Sequence, residues 1–144
     1  AHVADGGIMS DRVAACLCGE FTATVKGDPE MVVMCNCASC QRRSGSQFGS
    51  GAFFQIRNVT LRGDHKSFTR PADSGKNLTN HFCPHCGTNL AWEAEIRPGY
   101  IGVAVGAFAD AAFPPPNVVL YDDNRHKWIV PPEGARIVPA GRPR

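Results

Sequence analysis

The sequence predicts a mainly β fold, a single domain of short antiparallel strands. Apolar and polar residues alternate over many short runs, which is typical of half-buried strands. Glycine, proline and aspartate separate these runs and indicate turns. No stretch has a long helical period, and roughly eight to ten short strands without long helices favour an all-β domain.

The first predicted strands flank a turn. Residues 21–25 alternate apolar and polar side chains, and residues 31–34 form a short apolar run. Residues 27–30 between them are typical of a turn, so we expect the two strands to form a hairpin. The hairpin would have one pair of cysteines at each open end, Cys16 with Cys18 and Cys35 with Cys37.

The remaining elements follow in order along the chain. Residues 38–43 predict one helical turn. Further strands are predicted at residues 47–54, 59–61, 66–69, 78–82, 90–96, 100–105 and 118–121.

Length and composition are those of one globular domain. The chain has 144 residues, of which 43% are hydrophobic and 19% are charged, and this mass can bury a core. We expect residues 9–144 to form one zinc-binding domain and residues 1–8 to be a cloning remnant or a disordered N-terminus, because Met9 is a suitable native start. The longest apolar stretch, residues 100–113, is too short to cross a bilayer, so we expect no membrane partner.

The metal prediction comes from the cysteines. All seven lie in three tight clusters, Cys16-Leu-Cys18, Cys35-Asn-Cys37-Ala-Ser-Cys40 and Cys83-Pro-His-Cys86. Thiols this close in sequence are poorly placed to join distant segments by disulfides, but they suit chelation of one ion. The sequence opens without an apolar signal segment, which favours the cytoplasm, where thiols stay reduced.

The spacing predicts two zinc sites and leaves their membership open. Four thiolates close a tetrahedral zinc site, whereas three leave the open position that a catalytic zinc needs. The zinc knuckle at residues 83–87 could be completed by Cys16 and Cys18, or by Cys40 with the four preceding cysteines forming the other site. The three middle cysteines could also be free thiols, or a labile disulfide and one thiol.

The net charge gives no reason to expect nucleic acid as a partner. The formal charge is +2 with neutral thiols. Seven thiolates and two Zn²⁺ ions together add −3, which turns this charge into −1. The mild basicity is therefore not evidence for nucleic-acid binding.

These motifs resemble the glutathione-dependent formaldehyde-activating enzyme family, which includes the centromere protein V type domain. The resemblance runs from about residue 12 to residue 128 and includes all seven cysteines. Its motifs are Cys16-x-Cys18-Gly19, Cys35-x-Cys37-x-x-Cys40-Gln-Arg-Arg-Ser-Gly45 and Phe82-Cys83-Pro84-x-Cys86-Gly87, with Gly63, Phe68 and Gly75 between them. It implies a mostly β fold around a structural zinc, similar to that of Rab-binding zinc proteins.

The resemblance also implies two zinc ions per chain with different roles. Matched position by position, a structural zinc would be held by Cys16, Cys18, Cys83 and Cys86. A catalytic zinc would be held by Cys35, Cys37 and Cys40, and this more open site should lose its metal first. Asn36 stands where the family often has histidine, which puts the substrate in doubt and not the metal site.

The family's reaction adds glutathione to formaldehyde and yields S-hydroxymethylglutathione. The resemblance therefore implies a carbon–sulfur lyase, with glutathione as co-substrate, a small thiol and an aldehyde as partners, and a monomer or homodimer as the working unit. A thiol at the open zinc position would lose its proton at neutral pH and become a nucleophile. We expect Arg42 and Arg43 to pair with the carboxylates of glutathione and Gly45 to form part of the pocket wall.

Histidines and aromatic residues near these motifs are candidates for further roles in the site or the core. His81 and His85 flank Cys83 and are expected outside the ligand set, because the cysteines already complete it. His126 is a candidate general acid–base, although packing beside Trp128 would explain it as well. Core or pocket-lining positions are expected for Trp92, Phe53, Phe54 and Phe108.

Two further functions are compatible with the sequence. A non-catalytic zinc module that binds another protein would need only the four-thiolate site. A zinc–thiolate enzyme with another substrate would keep both sites, and Asn36 leaves that reading open. The number of zinc ions per chain separates the module from the two enzymes.

Overall fold

A computed structural model of the protein describes residues 11–140, so residues 1–8 and Met9 lie outside the described residues. It contains one α-helix, α1 (Ala38–Ser44), and 3-10 turns at Ile56–Asn58, Val105–Phe108 and Asp122–Asn124. The strands are β1 (Arg12–Ala15), β2 (Thr22–Val25), β3 (Met31–Cys35), β4 (Gly49–Gln55), β5 (Val59–Arg62), β6 (Lys66–Pro71), β7 (Asn77–Phe82), β8 (Asn89–Ala94), β9 (Tyr100–Ala104), β10 (Val118–Leu120) and β11 (Arg136–Ile137). The predicted mainly β fold and the short helix are confirmed.

The strands form two sheets. One sheet has three strands in the order β1-β2-β5, and the other has eight in the order β11-β10-β3-β4-β9-β8-β7-β6. The pairs are antiparallel except at one edge, where β3, β10 and β11 run parallel. The expectation of antiparallel strands therefore holds for the rest of both sheets.

The predicted hairpin between the second and third strands is wrong. β2 pairs with β1 and β5 in the small sheet, whereas β3 pairs with β4 and β10 in the large one. Burial explains the difference. β2 alternates between buried and half-buried residues, as a strand with one solvated face does. The centre of β3, residues 32–34, is buried without alternation and needs a strand on each side and cover on both faces.

The main core lies between the two sheets. The small sheet contributes Ala14, Ala23 and Val25, and the large sheet contributes Ala52, Phe54, Leu90 and Val103. The sequence left open whether Phe54 and Phe108 are core or pocket-lining residues. The structure places both in this core. This face of the large sheet is therefore closed to a ligand.

The opposite face of the large sheet carries α1. Directly paired residues share a face of a sheet, and the pairs Cys35–Gly49, Trp92–Gly102 and Asn80–Trp92 all belong to this face. α1 begins three residues after the end of β3 and is capped by Gly45, whose φ of 70° only glycine adopts readily. The helix therefore holds its cysteine and arginine side chains above this face.

None of the helices within residues 11–140 has the length and apolar character needed to cross a membrane.

Candidate functional site

Four cysteine sulfurs converge at one end of the molecule. Cys16 and Cys18 follow β1, and Cys83 and Cys86 follow β7, and their Sγ atoms all lie within 4.8 Å of one another. The Cys16 and Cys18 sulfurs are 3.6 Å apart, and those of Cys18 and Cys83 are 3.7 Å apart. Four thiolates at a zinc–sulfur distance of 2.3 Å would be about 3.75 Å apart. This cluster therefore has the dimensions of a tetrahedral zinc site.

Local backbone turns aim these sulfurs inward. Gly19 and Gly87 follow the second cysteine of each pair with φ angles of 85° and 81°. Their N–H groups donate to the carbonyls of Cys16 and Cys83, which closes two similar turns. The N–H of Phe21 donates to the Cys16 sulfur over 3.2 Å. Hydrogen bonds of this kind orient thiolate ligands and stabilise their charge.

Thr88 forms hydrogen bonds with Cys86, the last cysteine of this cluster. Its hydroxyl lies 3.4 Å from the Cys86 sulfur. Hydrogen bonds from this hydroxyl and from the Thr88 N–H lower the pKa of Cys86 to about 5. Cys86 is therefore ready to bind a metal as a thiolate at neutral pH.

The other three cysteines form a second cluster on the α1 face. Cys35 ends β3, Cys37 caps the N-terminus of α1, and Cys40 lies in its first turn. Their sulfurs lie within 4.8 Å of one another, and those of Cys35 and Cys37 are 3.5 Å apart. Within residues 11–140 no further histidine, cysteine or carboxylate joins the group. Three soft donors with a free fourth position fit a zinc ion that can take an exchangeable ligand.

The pKa values of Cys35 and Cys37 are shifted in opposite directions. Hydrogen bonds from the thiols of Cys35 and Cys40, and from the Cys40 N–H, hold the pKa of Cys37 far below its ordinary value. The hydrogen bond to Cys37 in turn raises the pKa of Cys35. The cluster thus stabilises one thiolate, at Cys37, even without a metal.

The two clusters answer the question of membership that the spacing left open. The structure groups Cys16 and Cys18 with the knuckle at residues 83–87, and it leaves Cys35, Cys37 and Cys40 together. The alternative with Cys40 completing the knuckle is excluded. No disulfide joins any of the seven cysteines.

Asn36 anchors the three-thiol cluster to the neighbouring strand. Its side chain is completely buried, and its amide nitrogen donates to the carbonyl of Leu120 at the end of β10. Gln41 donates to the Asn36 carbonyl and also lies 3.1 Å from Nε2 of His126. His126 is therefore linked to the cluster through Gln41, and nothing in this contact assigns it a proton-transfer role.

Tyr121 is a neighbour of this cluster that the sequence analysis missed. It follows β10 with a φ of 54°, which is a strained conformation for a residue with a side chain. Its hydroxyl donates to Asp73 over 2.6 Å. Burial, Asp73 and the negative charge of Cys37 raise the pKa of Tyr121. No sequence pattern marks such a position, because the strain comes from the surrounding contacts.

Arg43 is held in place by an aromatic ring. Its guanidinium carbon lies 4.2 Å from the centre of the Trp92 ring, in a cation–π contact. Trp92 in turn lies against Gly51 and Gly102, where a Cβ atom would collide with the indole. Small residues of the sheet thus make room for Trp92, and Trp92 orients Arg43.

A cleft of about 460 Å³ lies between α1 and the strands β6, β7 and β8. Ser39, which precedes Cys40, lines one side, and Gly87, which follows Cys86, lines another. Besides Ser39, its polar side chains are Arg42, Arg43, Arg70, Asn80 and Asn89. The structure therefore brings both predicted arginines into one cleft beside the thiols. Gly45 caps α1 and is not among the lining residues, so its predicted substrate contact gains no support from its position.

The sequence profile of the glutathione-dependent formaldehyde-activating enzyme family matches residues 11–124, which include both thiol clusters and the cleft. The chain belongs to this family. A solved structure of a Rhodobacter sphaeroides protein is similar in fold, with a TM-score of 0.51 and 19% identity over 66% of this chain and 85% of that chain. Comparison with curated proteins gave no match.

The two histidines near Cys83 belong to neither cysteine cluster. His81 contacts Ser67 over 2.8 Å and Glu93 over 3.5 Å. His85 is exposed and lies 3.6 Å from Glu20. Both stand outside the sulfur clusters, as the sequence analysis expected.

Proposed function

We propose that this protein is a zinc-dependent carbon–sulfur lyase that joins or splits glutathione and a small carbonyl compound such as formaldehyde. The three-thiol cluster carries the proposal, because it offers a metal three soft ligands and leaves one position free. A cleft with three arginines is lined on one side by Ser39, which precedes Cys40 of this cluster. Membership of the family supports the same chemistry.

We assign the two clusters different roles. Cys16, Cys18, Cys83 and Cys86 would hold a zinc ion that stabilises the fold, because four thiolates leave no free position. Cys35, Cys37 and Cys40 would hold the zinc ion of the active site. When bound there, zinc supplies a Lewis acid that lowers the pKa of a substrate thiol, so that the thiolate is present at neutral pH.

The residues of the cleft would bind and orient the thiol. Glutathione carries two carboxylates, and Arg42 and Arg43, which both line the cleft, would pair with them. Arg43 is already fixed on Trp92, so less side-chain freedom is lost on binding. In the addition, the sulfur of glutathione forms a bond to the carbonyl carbon, and the proton of the thiol ends on the carbonyl oxygen.

Calorimetric titration of the zinc-loaded protein with glutathione tests the proposal. We expect saturable binding, and loss of that binding in Cys40→Ser. Exchange NMR of glutathione and formaldehyde should also show faster formation of S-hydroxymethylglutathione than in the uncatalysed mixture. Absence of binding at millimolar glutathione would refute the proposal, and one zinc per chain with no thiol binding would favour a non-catalytic zinc module.

The seven cysteines, none of which forms a disulfide, also bear on the cellular compartment of the protein. Such a set stays reduced, and therefore able to bind metal, only in a reducing compartment. We accordingly assign the protein to the cytoplasm.

A further inference from the structure

The cleft contains a third arginine, Arg70, besides the two that the sequence analysis predicted for the site. Arg70 of β6 lines it opposite Arg42 and Arg43 of α1, and no carboxylate of residues 11–140 lines it. None of the three arginines takes part in an ion pair within the described part of the chain. Three neighbouring cations repel one another, so their grouping favours an anionic ligand.

Two asparagines that line the same cleft each have a buried side-chain oxygen without a hydrogen bond. Within residues 11–140, the buried side-chain atoms without a hydrogen bond are the Oδ1 atoms of Asn36, Asn80 and Asn89. Two of these three asparagines, Asn80 and Asn89, line the cleft. Asn80 is only 6% exposed. An unpaired buried amide costs free energy, so it calls for a partner that binds there.

Strand register explains why these groups face the ligand. Asn80 pairs with Trp92 on β8 and with Phe68 on β6, so the three side chains share the α1 face of the sheet. Arg70 lies two residues beyond Phe68 and therefore projects to the same side. The β6–β7 hairpin thus forms the wall of the cleft that faces α1.

We infer that Arg70 and Asn80 select the thiol, by binding a carboxylate and an N–H group of a peptide-like thiol at a distance from its sulfur. This inference rests on the proposed function. Arg70 supplies a charge-assisted hydrogen bond to the carboxylate. The Asn80 carboxamide offers either its oxygen or its nitrogen after rotation about the Cβ–Cγ bond, and its oxygen accepts from an amide or ammonium N–H. A small thiol without these groups gains nothing from either residue.

Two thiols and one charge-removing variant test the assignment to Arg70. Zinc-loaded protein is titrated with glutathione and with 2-mercaptoethanol, which lacks both a carboxylate and an N–H group. Arg70→Gln should weaken glutathione binding about tenfold, as expected for loss of one charge-assisted hydrogen bond. It should leave the binding of 2-mercaptoethanol unchanged. Arg62→Gln, which removes an exposed charge from β5, is the matched control and should affect neither thiol.

Asn80→Leu separates a ligand-binding role from a structural one. Leucine has a similar size and removes the unpaired oxygen, so the melting temperature should stay the same or rise. Glutathione binding should nevertheless weaken several-fold. A lower melting temperature with unchanged glutathione binding would assign Asn80 to the structure alone and overturn its part in selection.

The outcomes distinguish the two levels of the proposal. If the wild type binds glutathione and both variants bind it equally well, selection by Arg70 and Asn80 is overturned while the proposed lyase function stands. If the variants weaken both thiols alike, they do not act on the carboxylate or N–H group, and selection is again overturned. If the wild type binds neither thiol, the proposed function fails and this inference fails with it. Binding of S-methylglutathione, which has no thiol, measures the cleft contacts without the metal and should show the same loss in both variants.

Discussion

Hydrogen bonds to individual sulfur atoms decide which cysteines are thiolates before a metal binds. Thr88 lowers the pKa of Cys86 to about 5, and the neighbouring thiols lower that of Cys37. For Cys86 the folded-state pKa lies below that of an unfolded thiol, which is about 8.5. Its contribution to the stability of the metal-free protein is therefore present above that value and is lost as the pH falls through about 5.

Thr88→Val should slow the alkylation of Cys86. Valine removes the hydroxyl that donates to the sulfur, so the pKa of Cys86 should rise toward its ordinary value and the thiolate fraction at pH 6 should fall. We expect a several-fold slower reaction of metal-free protein with iodoacetamide at this residue, measured by peptide mass spectrometry. Thr60→Val on the exposed side of β5 is the control. Equal rates in both variants would contradict the role of Thr88.

Gly63 fixes the loop that carries the first cysteine pair. It has a φ of 96°, and a Cβ atom there would collide with the backbone carbonyl of Glu20. Gly63→Ala should therefore destabilise the zinc-loaded protein by about 2–4 kcal/mol, as backbone strain and a rigid clash add. Gly99→Ala has a similar φ of 86° but open space around it, and it should cost about 1 kcal/mol. Chemical denaturation measures both, and equal losses would show that the close approach to Glu20 is unimportant.

At the scale of elements, α1 packs on a strip of the large sheet that has glycine instead of larger side chains, at Gly49, Gly51 and Gly102. The helix has seven residues, too few to be stable alone. Cys40 and Arg43 contact the sheet at Gly49, where the lack of a side chain leaves space for them. Trp92 occupies the space beside Gly51 and Gly102. The placement of the thiols and of Arg43 therefore depends on glycines in β4 and β9.

Gly51→Ala should disturb this packing. The added Cβ would collide with the indole of Trp92, which has to shift, so we expect a loss of about 1–3 kcal/mol in the free energy of unfolding. The shift should also move Arg43 and change the tryptophan emission spectrum. Gly106→Ala, which meets open space, is the control. If both variants unfold alike and keep the wild-type emission, Trp92 does not depend on Gly51.

At the scale of the whole molecule, the two thiol clusters link different parts of the chain. The four-thiol cluster joins the end of β1 to the end of β7, across the small and the large sheet. The three-thiol cluster is local, within residues 35–40. Metal bound at the first cluster would therefore contribute directly to folding, whereas metal bound at the second would contribute mainly to the proposed site.

Cysteine variants should separate these contributions. Cys83→Ser removes a buried ligand of the long-range cluster, and we expect loss of that zinc and of the cooperative thermal transition. Cys40→Ser should keep the transition and lose about one zinc ion per chain. Elemental analysis and circular dichroism measure both quantities. If Cys40→Ser unfolds the protein as well, the local cluster is also structural and the division of roles is wrong.

The elements that the sequence predicts well are those with a local cause. Residues 21–25 alternate in polarity, and the structure has β2 over most of them; residues 38–43 predict a turn of helix, and the structure has α1. β11 escaped prediction because its two residues are held only by parallel pairing with β10. The hairpin failed because strand pairing depends on which faces are buried, and residues 21–34 do not specify this by themselves.

The sequence by itself determined the mainly β fold, the three clusters of cysteines and the family, because alternation and cysteine spacing are local patterns. The tertiary structure decided which thiols converge, since Cys16 and Cys83 are brought together by strands far apart in the sequence. It also decided that Arg70, Asn80 and Tyr121 surround the site. These residues carry no motif, and their position depends on sheet order and register, which arise from long-range packing.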